Sequence, residues 1–190
     1  MEMIYKAARL EKQTLSESEL ALINKQSLRE LSADEVFAFR LAACDNQVDR
    51  DNERFTENTL EQLAKLYIGK TVLLDHVWSA KSQTARIYNA YVSGEGDVKR
   101  LILCCYTVRT ESMADTISAI EGGILRECSV GCTVEHVLCS ICGADQRTTL
   151  CQHRGGHEYD GKICHFDLVD ACEAYEVSLV AVPGRSRARA

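Results

Sequence analysis

Residues 173–182, EAYEVSLVAV, alternate with the period of a β-strand: Glu176, Ser178, Val180 and Val182 fall on one face, Tyr175, Val177, Leu179 and Ala181 on the other. This strand sets the ionisable Glu176 between apolar neighbours, where a carboxylate requires a partner such as an imidazole N–H. Ahead of it lies a stretch of opposite character, VLCSICGADQRTTLCQHRGGHEYDGKICH at 137–165, rich in Gly, Cys and His and without periodicity. It reads as a loop module inserted between two strands, because Ile124 to Val134 is itself a strand candidate with Ser129 at its centre.

Further outward, Ser112 opens a helix carrying Met113, Ile117 and Ile120, which Gly122 and Gly123 stop. Segments 85–92 and 99–108 read as strands joined by the turn SGEGD, a hairpin. A short strand, TVLL at 71–74, delivers Asp75 and His76. Before it, Thr56 caps a helix whose apolar stripe is Leu60, Leu63, Ala64 and Tyr67, closed by Gly69. VFAFRLAA at 36–43 puts Phe37, Phe39 and Leu41 on one strand face and Arg40 on the other. Ser16 and Glu19 form a capping-box pair for an N-terminal helix continuing through Leu20, Ile23, Ser27, Leu28 and Leu31. Six strand candidates and three helices predict an α+β fold with a mostly antiparallel sheet or barrel. The expected organisation is an N-terminal helical segment at 1–33, a main domain at 34–184 carrying the 137–165 insertion, and a basic tail at 185–190.

The chain of 190 residues is 46% hydrophobic and 26% charged, as expected of one globular domain with its own core. Its longest apolar run, Leu101 to Tyr106, is far short of the roughly 20 residues of a membrane span. The opening MEMIYKAARLEK lacks an apolar core followed by small residues, so the expectation is an intracellular protein without a secretory signal. A formal net charge of −6 argues against a general nucleic-acid or membrane-surface binder; only the tail, with Arg185, Arg187 and Arg189, runs the other way.

Ten cysteines fall below the roughly 8–10% typical of a disulfide scaffold, and their positions say more than their number. Cys139 and Cys142, followed by Gly143, have the spacing of a metal knuckle, and Cys151 and His153 follow closely. Four such donors predict a closed tetrahedral zinc site that stabilises a loop and activates no water, with His157, Cys164 and His165 as reserve ligands. The alternative is that these are reduced, buried cysteines acting as small hydrophobes. Within the module Arg147, Arg154 and Lys162 are balanced by Asp145, Glu158 and Asp160, which leaves little electrostatic footprint for phosphate.

His76 is the only histidine outside the 128–165 region and the best available base for Ser129, with Gly131 leaving space nearby for a substrate backbone. The order DHVWS (75–79), GGILRECSVGC (122–132), EVSLVAVP (176–183) resembles the tailed-bacteriophage prohead proteases, the capsid-maturation serine peptidases similar in fold to herpesvirus assemblin. The resemblance runs from Val36 to Pro183 and includes DRDNERFTENTLEQLAKLYIGKTVLLDH, the region leading to that family's histidine. It implies His76 as general base, Ser129 as nucleophile and Glu176 as the group orienting the imidazole, with Glu173 and Asp75 as rivals for the third place. Backbone N–H groups near Ser129 are candidates for an oxyanion hole, with Arg126 as a further donor. The resemblance further implies an assemblin-like antiparallel barrel with flanking helices and a homo-oligomer inside the procapsid in the bacterial cytoplasm. Its substrates would be the major capsid protein or scaffold, and the protease itself. The alternative expectation is a catalytically silent, zinc-stabilised structural or interaction component of the procapsid.

Overall fold

The computed structural model describes residues 7–181. The basic tail and the end of the EVSLVAVP motif lie outside them. In chain order the elements are β1 (Ala7–Lys12), α1 (Glu17–Asn24), β2 (Val36–Asp45), β3 (Glu53–Phe55), α2 (Glu57–Tyr67), β4 (Thr71–Leu74), β5 (Ala85–Ser93), β6 (Arg100–Val108), α3 (Ala114–Glu121), β7 (Glu127–Cys139), β8 (Glu158–Tyr159), β9 (Lys162–Ile163) and β10 (Phe166–Leu179). The fold is α+β. Eight strands form one curled, mostly antiparallel sheet in the order β3-β10-β4-β5-β6-β2-β1-β7, and β7 pairs back onto β10. The two parallel pairings, β10 with β3 and β10 with β4, share one edge of β10.

The core follows from period-two alternation. Phe37, Phe39, Leu41 and Ala43 of β2, Leu101, Leu103 and Cys105 of β6, and Cys128, Val130, Cys132 and Val134 of β7 bury one face of the sheet. Helix α2 joins this cluster through Leu60, Leu63, Ala64 and Tyr67. Thr56 Oγ1 caps that helix by accepting the Thr59 N–H at 3.2 Å, and beyond its end Gly69 takes the left-handed conformation, φ +82°. A second cluster, Ile23, Leu31, Val36, Tyr88, Cys104 and Tyr106, sits under α1.

Three local expectations are corrected. Helix α1 has its capping box but ends at Asn24. The Asn24 side chain turns to the backbone of Leu31, accepting its N–H at 2.9 Å and donating to its carbonyl at 3.1 Å, so the asparagine competes with further helix and Leu28 is left fully exposed. The stretch without periodicity is shorter at its start than 137–165, since β7 runs through Cys139, and it ends where expected because β10 begins at Phe166, seven residues ahead of the strand expected from Glu173. Two bulges in β10, at Ala171/Glu173 and Ala174/Glu176, hide its period from the sequence. The second makes Tyr175 an extra residue, so Ala174, Val177 and Leu179 face the core together while Tyr175 leaves the alternation.

Candidate functional site

Strands β7 and β10 form an antiparallel ladder in which Ser129 stands opposite Ser178 and Gly131 opposite Glu176. Since Cys128, Val130, Cys132, Val177 and Leu179 face the core, Ser129, Gly131, Glu176 and Ser178 share the other face. That face is nonetheless shielded: Ser129, Glu176 and Ser178 are all buried. A buried carboxylate is tolerated only with hydrogen-bond partners, and Glu176 has two. Its Oε1 lies 2.9 Å from His76 Nδ1, and its Oε2 accepts the Ser178 hydroxyl at 2.5 Å.

His76 reaches the carboxylate from the turn that follows β4. That strand runs parallel to the end of β10, and Asp75 extends the pairing by donating its N–H to the Leu179 carbonyl at 3.0 Å. Asp75 and His76 then both adopt left-handed conformations, φ 50° and 56°. Such residues cost about 1–2 kcal/mol each, although Asp and His tolerate the region better than most. The turn is held by Val77 N–H on the Leu74 carbonyl at 3.0 Å and by His76 N–H on Ser178 Oγ at 3.1 Å. Ser178 thus uses its hydroxyl twice, donating to Glu176 and accepting from the backbone of His76. Its part is invisible in sequence, because it depends on the turn after β4 folding back over β10.

Gly131 was expected to make room for a substrate backbone. The structure gives that space to Glu176: a Cβ at Gly131 would lie 2.8 Å from Glu176 Oε1. The Gly131 carbonyl accepts the Tyr67 hydroxyl at 2.9 Å, which links α2 to the ladder beneath the carboxylate. Burial raises the Tyr67 phenol well above its usual range, keeping it a donor.

Ser129 lies on the same face, and as the direct cross-strand neighbour of Ser178 its Cβ is roughly 5 Å from that residue's. Its hydroxyl is buried and, among the described residues, makes no hydrogen bond, to His76 or to any other group. An unpaired buried hydroxyl costs about 1–3 kcal/mol. The structure therefore forms the carboxylate–imidazole half of the expected triad and brings the serine to the same face without joining it to the imidazole. Of the rivals, Glu173 is exposed opposite Thr133, and Asp75 is exposed with its backbone engaged by β10. Arg126 is largely exposed and pairs with Glu127 at 3.2 Å. The neighbouring Cys128 is fully buried, which pushes its thiol far up and leaves it inert.

At the other end of the ladder, Cys139, Cys142, Cys151 and His153 present donor atoms all within 4.8 Å of one another, compatible with a metal site. Gly143, φ +73°, turns the knuckle and donates its N–H to the Cys139 carbonyl at 2.8 Å. Burial pushes the Cys139 thiol up, but the N–H groups of Cys142 and Ile141, with the neighbouring thiols of Cys142 and Cys151, outweigh it and the net direction is down. Burial likewise opposes, and the backbone and ring of His153 reverse, the shift at Cys151, which also ends lower. Both effects favour the thiolate form that metals bind. Around the cluster, Gln146 Nε2 lies 3.3 Å from Cys151 Sγ and the Tyr159 ring stands edge-on to His153 at 4.6 Å. None of the ten cysteines is joined in a disulfide.

Of the reserve ligands, Cys164 is buried with its sulfur 3.9 Å from Cys139 Sγ, and burial raises its thiol to about 11. His157 is exposed, and His165 Nε2 is 3.5 Å from Asp167. His136, outside the expected ligand set, forms a 2.8 Å ion pair with Asp145, which raises the imidazole and holds the carboxyl down at about 2. Among the described residues no helix is long and apolar enough to cross a membrane. No protein-family model, curated protein or solved structure matches this chain.

Two substitutions test the geometry without reference to activity. Gly131→Ala should displace the Glu176 carboxylate and cost about 1–3 kcal/mol in urea unfolding, as overpacking does. Ser178→Ala should remove the hydrogen bond that orients the carboxylate while leaving the core intact. Both should shift or abolish the NMR signal of the His76 Nδ1 proton held by Glu176. An unchanged signal in both variants would contradict the described arrangement.

Proposed function

We propose that the protein is a serine endopeptidase of phage capsid maturation, with Ser129 as nucleophile, His76 as general base and Glu176 as the group that orients the imidazole. The observation that carries this reading is the buried Glu176 carboxylate hydrogen-bonded to His76 Nδ1 on the face that also bears the unpaired Ser129 hydroxyl. A serine hydroxyl is a weak nucleophile until a base takes its proton, and the base needs a third group to hold its tautomer. With Nδ1–H donated to Glu176, His76 Nε2 is the acceptor. On substrate binding Ser129 Oγ comes within reach of Nε2, gives up its proton and attacks the scissile carbonyl. Apo sites commonly hold such contacts long. Collapse of the tetrahedral intermediate breaks the C–N bond, and His76 returns the proton to the leaving amine. Water then attacks the acyl-enzyme as the same imidazole takes its proton, and on collapse the C–O bond to Ser129 breaks, the acid product leaves and His76 returns the proton to Ser129 Oγ. Backbone N–H groups around Ser129 stabilise the developing oxyanion.

In this reading the substrates are the capsid protein or its scaffold segment and the protease itself, inside a procapsid in the bacterial host, with the chain acting as an assemblin-like homo-oligomer. Cys139, Cys142, Cys151 and His153 hold a structural zinc ion: three thiolates and an imidazole suit zinc, and four protein donors leave no open position for water. When bound, the ion supplies folding energy to the loop, and the chemistry remains with the triad. The burial of Ser129 and its lack of a hydrogen bond to His76 favour a second reading, a zinc-stabilised structural component of the procapsid without peptidase activity.

Co-expression with a capsid precursor separates the two. Ser129→Ala and His76→Ala should each lower cleavage by about 10⁴-fold or more, as loss of a triad member does. Intact mass should show a processed chain in the wild type and an unprocessed one in Ser129→Ala; wild-type-like processing in either variant sinks the triad. For the metal, elemental analysis of reduced protein should give one zinc per chain, lost in Cys142→Ser. Chelation should raise hydrogen exchange in residues 140–165 before the sheet core. Metal-replete, unoxidised protein without zinc would overturn the ligand assignment.

A further inference from the structure

The Cys/His module holds a fifth side chain that the ligand set leaves out. Cys164 is fully buried with its Sγ 3.9 Å from Cys139 Sγ, whereas the donor atoms that gather within 4.8 Å are those of Cys139, Cys142, Cys151 and His153. The four thiols divide by access: Cys142 is exposed and Cys151 half-buried, while Cys139 and Cys164 are both buried. Backbone pairing fixes the two buried sulfurs. Cys139 ends β7 opposite Phe166, and its N–H bonds to the Ala144 carbonyl at 2.9 Å. Cys164 donates its N–H to the His157 carbonyl and accepts that of Gly156, each at 2.8 Å. The residue after each sulfur is clasped to the residue after the other: the Ser140 N–H bonds to the His165 carbonyl, and the His165 N–H to Ser140 Oγ, both at 2.9 Å. The chain thus sets Cys139 and Cys164 side by side through bonds that involve neither Cys142 nor Cys151.

We propose that Cys139 and Cys164 are the disulfide-forming pair of a peroxide-responsive site, and that closing the bond withdraws Cys139 from the metal set. The thiolate is the form that reduces peroxide, and the accessible one reacts first. The exposed Cys142 thiolate attacks hydrogen peroxide and becomes a sulfenic acid, while hydroxide leaves and takes a proton to form water. The neighbouring Cys139 thiolate then attacks the Cys142 sulfur, forming a Cys139–Cys142 bond and expelling a second hydroxide, which also becomes water. Cys164 gives its proton to solvent and attacks the Cys139 sulfur 3.9 Å away; the Cys139–Cys142 bond breaks and Cys142 leaves as thiolate. Counted as thiols, Cys139 and Cys164 have lost two electrons and two protons, and one peroxide has become two waters. The product bond is buried, and Cys142, Cys151 and His153 are left for the metal, one donor short of a closed tetrahedral site. The loss of metal rests on the zinc reading; the cysteine pairing does not.

The test treats the reduced, zinc-loaded full chain with a slight molar excess of hydrogen peroxide beside a zinc-indicating dye, alkylates the free thiols and maps disulfides by peptide mass. The expected product is a Cys139–Cys164 crosslink with Cys142 alkylated, together with loss of the bound zinc, both reversed by dithiothreitol and added zinc. Cys164→Ser keeps the four donors and should still load zinc; under peroxide it should stop at Cys139–Cys142, with Cys142 protected from alkylation. Cys164→Ala, which places no hydroxyl at that buried position, should behave alike. Wild-type protein that leaves Cys164 alkylated, or that accumulates Cys139–Cys142 or Cys142–Cys151, overturns the pair, and that result stands even if neither variant folds. A crosslink formed with zinc retained overturns the withdrawal of Cys139. If the crosslink forms in protein that never held zinc, the zinc reading fails while the pair stands; if peroxide releases bound zinc without the crosslink, the pair fails while the zinc reading stands.

Discussion

The β7–β10 ladder is the pairing on which the rest of the molecule depends. It runs from Cys139 opposite Phe166 to Cys128 opposite Leu179, a length on the order of 30 Å. One of its faces completes the main core; the other bears Ser129, Gly131, Glu176 and Ser178. Its far end opens into the Cys/His module, and the free edge of β10 receives β3 and β4 in parallel. A slip of one residue in this register would turn Glu176 into the apolar core and Val177 out of it. The two bulges in β10 allow one strand to keep both halves in phase across 14 residues.

Placing a carboxylate on a shielded sheet face demands compensation, and the local structure is organised around it. Ser178 donates to one oxygen, the His76 ring meets the other, and Gly131 leaves the room that a side chain would fill. The left-handed pair Asp75–His76 is the conformational cost of bringing the imidazole back over β10, offset by three hydrogen bonds around the turn, two to backbone carbonyls and one to the Ser178 hydroxyl. At the other end, Gly155 and Gly156 pass so close to Asn52 that a Cβ on Gly155 would meet the asparagine side chain at 2.9 Å. Phe166 N–H bonds to the Asn52 carbonyl at 2.8 Å, so the Cys/His module is seated on the turn that leads into β3 and α2. Helix α2 in turn holds the Gly131 carbonyl through Tyr67.

Features with local causes were legible in the sequence. The caps Ser16 and Thr56, the stripe of α2, the β5–β6 hairpin and the proximity of Cys139, Cys142, Cys151 and His153 all follow from spacings of a few residues. That Glu176 needs a partner such as an imidazole is legible from its apolar neighbours, but that the partner is His76, 100 residues away, is implied only by the family resemblance. What stayed hidden depends on register and on competition between side chain and backbone. The lower half of β10 is masked by its bulges, and β1, with alternation too weak to mark it, is a strand because β2 and β7 pair with it. Asn24 ends α1 through bonds to Leu31 that no helical periodicity announces. A glycine at 131 suggests space for a ligand, whereas the Glu176 carboxylate of the neighbouring strand fills it.

The two ends of the ladder differ in character: a metal-compatible Cys/His cluster at one, and at the other a polar constellation whose proposed chemistry requires Ser129 to act as a nucleophile. Reaction of the assembled protein with a serine-directed phosphonate, followed by peptide mass mapping, tests that most directly. The account predicts a single adduct on Ser129 that is absent in His76→Ala. No labelling under assembly conditions, or labelling elsewhere with Ser129 untouched, would contradict it.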